Sequence, residues 1–254
     1  MNFVFDLDGT LCFDGKSIDA EIIEALQELK LEGHQVIFAS ARPIRDLVPV
    51  IPKSFHEGLL VGGNGTFTYN HGQIQVTHFE QQLLDKLNAV IHQHQLKYLA
   101  DGQWDYAFTG DNAHPIYRNI DKTNSKNIPL EQLLLVCKLV LFQPNEEVLE
   151  ALEVFPVTVT HYKNEHAIDI SPLGINKVSG LRRLNIQEFI AFGNDNNDLC
   201  LFEHAVHSVC VGNNKVKCYA KENIERADVA GKIRELMREY RVGEGNISKF
   251  IKLN

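Results

Sequence analysis

The chain of 254 residues carries 33 acidic and 25 basic side chains, a net charge of −8, and is 44% hydrophobic. That is enough apolar material for one large domain or two modest ones, while the acidic balance and the lack of a long basic run argue against a nucleic-acid partner. No stretch approaches the roughly 18 apolar residues that span a bilayer, so neither a membrane nor a charged leader is expected, and five cysteines, an odd number without metal-site spacing, fit a reduced, cytoplasmic compartment.

The chain opens with Phe3-Val4-Phe5, a buried strand by its aromatic and β-branched content, which runs into Asp6-Leu7-Asp8-Gly9-Thr10. Strand alternation puts Asp6 and Asp8 on one side, and Gly9 lets the backbone turn. Two acids at a strand's carboxyl end repel each other, and a divalent cation is their natural partner. With a metal present, the first acid can act as nucleophile and the second can carry a proton. Alone, Asp8-Gly9 would read as an ordinary turn.

A helix follows, with Asp19 at its cap, Ile22, Ile23, Leu26 and Leu29 as its apolar stripe and Gly33 at its end. Residues 35–39 form a second strand, which implies a parallel βαβ unit. It ends in Ser40-Ala41-Arg42-Pro43, where open α/β sheets bind ligands. Pro43 suits the first turn of a helix whose amides would face an anion, although a Ser after a strand is more often a cap. A third strand, 59–61, enters Gly62-Gly63-Asn64-Gly65, which lacks the Lys of a phosphate loop. Residues 66–77 read as a hairpin, a flap on the core.

From Glu80 the pattern changes. A helix over 80–95 and another over 145–154 alternate with short strands at 97–100, 104–109, 137–142, 158–162 and 166–170, an α+β unit on an antiparallel sheet. Gly110-Asp111-Asn112 reads as a turn, and His92 and His94 as surface residues. Asn176 caps a helix with Lys177 in its first turn, where the helix dipole disfavours a cation. A strand over 188–192 then ends in Gly193-Asn194-Asp195-Asn196-Asn197-Asp198, a poor turn unless a cation binds there. A strand at 206–211 leads to Gly212-Asn213, and a helix at 229–240 closes the chain.

Taken in order, these strand ends resemble the four motifs of the haloacid dehalogenase superfamily of phosphotransferases, in its Cof-like, type IIB branch. The resemblance covers all but about the last dozen residues, after Val242. It implies an α/β fold: a Rossmann-like parallel-sheet core, residues 1–79 and 174–254, with an inserted α+β cap over 80–173. It further implies Asp6 as nucleophile, Asp8 as acid/base and Lys177 as the cation offsetting their charge. Ser40, Ala41, Arg42, Lys177 and Asn197 would bind phosphate, and Asn64, Gly65 and Asn213 would lie near substrate. Mg²⁺ would sit on Asp6, the Asp8 carbonyl and Asn194, with Asp195 and Asp198 behind. Asn194 departs from the family's Gly-Asp-x-x-Asn-Asp, and a shift of register would make Asp195 the ligand instead. The expected activity is Mg²⁺-dependent hydrolysis of a small phosphorylated metabolite, sugar phosphates being the commonest family substrates. The alternatives are a phosphomutase, or a feebly active phosphate- or Mg²⁺-binding protein. Nothing in the sequence sets the oligomeric state.

Overall fold

The structure, a computed structural model, describes residues 1–162 and 166–241, so the segment after Val242 lies outside the described residues. With strands and helices numbered in chain order, the main sheet contains β1 (Asn2–Phe5), β2 (Gln35–Ala39), β3 (Leu59–Gly62), β4 (Phe67–Asn70), β5 (Gln73–Val76), β11 (Phe189–Gly193), β12 (His207–Val211) and β13 (Glu222–Ile224). Their order across the sheet is β13-β12-β11-β1-β2-β3-β4-β5. The pairs from β13 to β3 are parallel, and those of β4 and β5 antiparallel.

Central strands buried on both faces must be apolar at every position. Phe3, Val4 and Phe5 accordingly have no exposed surface. Phe3 and Phe5 pack with Leu26 and Leu29 of α1 (Ala20–Leu31) and with Ile233 and Leu236 of α8 (Val229–Glu239). Val4 faces the other way, with Val178 and Leu181 of α6 (Lys177–Arg183) and Leu201 and Phe202 of α7 (Leu199–His204). Period-two alternation thus divides one short strand between two helical layers.

The second sheet contains β6 (Lys97–Asp101), β7 (Tyr106–Phe108), β8 (Lys138–Phe142), β9 (Val157–Tyr162) and β10 (Ala167–Pro172), in the order β7-β6-β8-β10-β9 and antiparallel throughout. Leu139 and Leu141 face α3 (Gln81–Gln93) and α5 (Glu146–Glu153). Val140 lies on the opposite face with Leu99 and Ile120, next to α4 (Pro115–Arg118). This is the expected α+β cap on an α/β core. Among the described residues, no helix is long and apolar enough to cross a membrane.

Several local expectations are corrected. The hairpin at 66–77 is not a flap but the edge of the main sheet: Phe67 is buried, and β4 pairs with β3 from Leu59 to Gly62. The strand expected over 104–109 shrinks to β7, because Trp104 spends its carbonyl on Arg45 and its indole on the Asn124 carbonyl. Asp19 occupies the cap position of α1 without a side-chain bond, whereas Asn176 and Ser179 form a reciprocal capping box on α6. Pro43 precedes α2 (Ile44–Leu47), a single turn too short to offer an anion site. Gly110-Asp111-Asn112 is a turn, with Asp111 accepting from the Ala113 amide at 2.8 Å.

Candidate active site

The Asp6 amide donates to the Phe192 carbonyl at 2.9 Å, which carries the β1–β11 pairing one residue past the strand. The Leu7 carbonyl then accepts from the amides of Thr10, Leu11 and Cys12 at 3.3, 2.9 and 2.8 Å. This turn, rather than strand alternation, orients the two acids. Leu7 is buried in the core, while Asp6 and Asp8 both line one cavity and take different partners.

Asp6 is 4% exposed. Its Oδ1 accepts from Lys177 Nζ at 2.6 Å and its Oδ2 from the Thr10 hydroxyl at 3.0 Å. Lys177 is fully buried and also donates to Asp198 Oδ1 at 2.6 Å. Burial, then the charge of Asp198, push Asp6 up to about 7 against the pull of Lys177. Burial draws Lys177 down, but Asp198 and Asp6 more than offset it and raise it. Additional positive charge beside Asp6 would favour its carboxylate form.

The Asn194 side-chain amide approaches that spot. One orientation turns its oxygen toward acceptors only. In the other, its nitrogen donates to the Asp8 carbonyl at 3.0 Å and to Asp6 Oδ2 and Thr10 Oγ1 at 3.2 Å each. The same short approach demands glycine at position 9: φ is +81°, and a Cβ there would lie 2.1 Å from the amide. A carboxylate oxygen, a backbone carbonyl and an amide oxygen converging in this way form a hard-oxygen donor set that fits a divalent cation. Without one, the amide nitrogen can serve the same acceptors. Among the described residues, no group of three or more His, Cys, Asp or Glu side chains is arranged to hold a metal, consistent with a set that draws on a backbone carbonyl and an Asn. Asp195 is exposed and accepts from the Asn196 amide at 2.7 Å. Asp198 is buried, and its Oδ2 takes the amides of Asn194 and Asp195 at 2.8 and 3.1 Å. Asp198 thereby fixes the loop and Lys177 together.

The other expected residues divide into two groups. Ala41, Arg42 and Asn197 line the cavity. Arg42 forms a fork on Asp8, Nε to Oδ2 at 2.7 Å and Nη2 to Oδ1 at 2.5 Å, and donates to the Gly15 carbonyl at 2.8 Å. Ser40 is 1% exposed behind the wall, its hydroxyl oxygen accepting from the Arg42 amide at 3.1 Å. Asn64, at φ +55°, accepts from Asn197 at 3.1 Å and donates to Tyr162 and Asp169 at 2.8 and 2.9 Å, so it joins the motif-four loop to the cap. Gly65, at φ +105°, lets the backbone pass Asn176, whose carbonyl would sit 2.1 Å from a Cβ. Asn213 is exposed and holds Lys217 at 2.7 Å, whereas its neighbour Asn214 reaches the Asn194 carbonyl at 2.8 Å. The residue beside the site is thus one position later than expected.

Sequence reasoning missed the cap's share. The cavity, about 390 Å³, is roofed by Leu99, Asp101, Lys138, Val140, Tyr162 and the segment around α4. Lys138 donates to the Ala41 carbonyl at 2.7 Å and pairs with Asp169 at 3.1 Å. Arg45 pairs with Asp46 and Asp101 at 2.7 and 2.8 Å. The available signal was a single charge set in an apolar strand: Lys138 ahead of Leu139-Val140-Leu141-Phe142, and Asp169 between two isoleucines. A buried charge needs a partner, and these partners lie in the core or across the cap sheet.

The family model of haloacid dehalogenase-like hydrolases matches residues 3–231. A 5-amino-6-(5-phospho-D-ribitylamino)uracil phosphatase of Bacillus subtilis is 28% identical over 231 residues, 82% of this chain and 85% of its own. An HMP-PP phosphatase of Serratia proteamaculans is 27% identical over 233 residues, 82% of each. A solved subclass IIB sugar phosphatase of the superfamily superposes with a TM-score of 0.74 at 19% identity, over 95% of this chain and 99% of its own, a likeness of fold. The chain belongs to the haloacid dehalogenase-like hydrolases, and its class is phosphoric monoester hydrolase. Members of this family generally use a divalent metal.

Proposed function

We propose that the protein is a Mg²⁺-dependent phosphatase that hydrolyses phosphate monoesters of small metabolites through a phosphorylated Asp6. The observation that carries this reading is Asp6 at the end of the central strand, held by Lys177 at 2.6 Å and Thr10 at 3.0 Å, in the cavity it shares with Asp8. A buried carboxylate with both oxygens fixed is preorganised for attack.

Asp6 forms an O–P bond as the ester P–O bond breaks, and Asp8 protonates the departing oxygen. Water then attacks the same phosphorus and gives its proton to Asp8, releasing inorganic phosphate and free Asp6. Asp8 is held by the Arg42 fork and must turn from it to reach the departing oxygen. Lys177 balances charge at Asp6, and Asn197 and the Ser40-Ala41-Arg42 turn hold phosphoryl oxygens. Mg²⁺ would be held by Asp6, the Asp8 carbonyl and the Asn194 amide oxygen, and would supply positive charge to Asp6 and the phosphoryl oxygens.

Residues 80–173 act as the cap, and the cavity under it suits a small metabolite. The names of the two curated relatives, both phosphatases of small phosphorylated compounds, support that substrate class. A cytoplasmic location belongs to this reading and is supported by five free cysteines. The test is turnover of an aryl phosphate with and without Mg²⁺: release of phenol that needs both Mg²⁺ and Asp6 is expected, and full activity in Asp6→Asn would refute the mechanism.

A further inference from the structure

The cap end of the cavity has an unbalanced charge. Arg45, Asp46 and Asp101 form one buried group, with one cation to two anions. Both oxygens of Asp46 are taken by Arg45, and Oδ1 also accepts from the Asp121 amide. Asp101 uses Oδ1 on Arg45. Its Oδ2 is buried and has no hydrogen-bond partner, although Asp101 forms part of the cavity wall and its side chain is 1% exposed. A buried carboxylate oxygen left unpaired is destabilising, and a ligand's donor would relieve it. The other cation of this wall, Lys138, is neutralised by Asp169 and committed to the Ala41 carbonyl. Arg42 is committed to Asp8. Between these polar positions the wall is apolar, with Leu99, Val140 and Ile116.

We infer that Asp101 is a specificity-determining residue, and that the leaving group is uncharged or cationic and carries an O–H or N–H donor that meets Asp101 Oδ2. This rests on the reading of the cavity as a phosphate-ester site. The register places Asp101 opposite Lys138 and Leu99 opposite Val140, so donor recognition and apolar contact alternate along two neighbouring strands. No free cation in this wall, among the described residues, stands ready for a second phosphate or a carboxylate. A second anion would instead meet the net negative charge of the Arg45 group and pay for its own desolvation. That disfavours bisphosphates and phosphorylated acids of the same size.

The test uses three probes of matched size, glucosamine 6-phosphate, glucose 6-phosphate and 6-phosphogluconate, with fructose 1,6-bisphosphate as a fourth. Binding is titrated calorimetrically with Mg²⁺ in the Asp6→Asn protein, so turnover does not interfere. A failure of the hydrolytic reading would appear separately, as absent aryl phosphate turnover in the wild type. The amine is expected to bind at least about tenfold tighter than the carboxylate, with the bisphosphate weakest. Adding Asp101→Asn should narrow the amine-to-carboxylate ratio to within about threefold. Should that double variant not fold, the ranking in the Asp6→Asn protein still decides. A preference for the carboxylate or the bisphosphate, or a ratio that Asp101→Asn leaves intact, would overturn the inference.

Discussion

The two walls of the cavity use buried charge in different ways. On the core side, Lys177 lies between Asp6 and Asp198, and Asp198 also collects two backbone amides. Each carboxylate oxygen there has a partner. On the cap side, Arg45 serves two carboxylates and one oxygen of Asp101 has none. The core side is complete before a ligand arrives, which suits chemistry common to every substrate. The cap side is left incomplete, which suits choice among leaving groups.

Six substitutions probe that contrast. Asp6→Asn should have the largest effect, a fall in turnover on the order of 10⁴ or more, because the amide cannot attack phosphorus. Circular dichroism should show the fold retained. Lys177→Met should come next. It strips the cation from two buried acids, so activity should fall about 10²–10³-fold and unfolding free energy by about 3–5 kcal/mol, read by urea denaturation. If stability stays unchanged, the charges are not held as described.

Asn194→Asp should have a mixed effect. A second carboxylate beside Asp6 replaces an amide that can serve as donor. In chelator the melting temperature should drop by a few degrees, and Mg²⁺ should restore more than it adds to the wild type, with an apparent Mg²⁺ requirement about threefold to tenfold tighter. Should Asp195→Ala abolish metal dependence while Asn194→Asp is silent, Asp195 is the ligand. Asn213→Ala should change turnover by less than about twofold, and Asn214→Ala, which frees the Asn194 carbonyl, by about threefold to tenfold. The reverse order would restore Asn213 to the site.

Much of this was legible in the sequence because strand ends are conspicuous. Phe3 to Phe5 has only one way to be buried, and the acids that follow must then emerge at the carboxyl edge of a parallel sheet. The same reasoning put Ser40 and the Asn194–Asp198 loop directly after strand ends, where β2 and β11 stop. It failed where position depends on packing between distant segments. Asn64 looked like a residue facing substrate and is a bridge between two loops and the cap. Nor did the sequence show that Arg42 pairs with Asp8. The Gly212-Asn213 pair gave the right turn, but the direction of a side chain after a turn depends on where the next segment leads, and it is Asn214 that points back. The cap's contribution was hidden because Lys138 and Asp101 become neighbours only through the pairing of β6 with β8.

The most direct test concerns Asp6 itself. The Asp8→Asn protein is mixed with an aryl phosphate and Mg²⁺, quenched in acid, reduced with borohydride and mapped by peptide mass. Phosphorylated Asp6 is expected to accumulate, because the base that activates water is gone, and reduction should convert that one residue to homoserine. Homoserine at another carboxylate, or none at position 6 while phenol is released in a burst equal to the enzyme, would contradict the account.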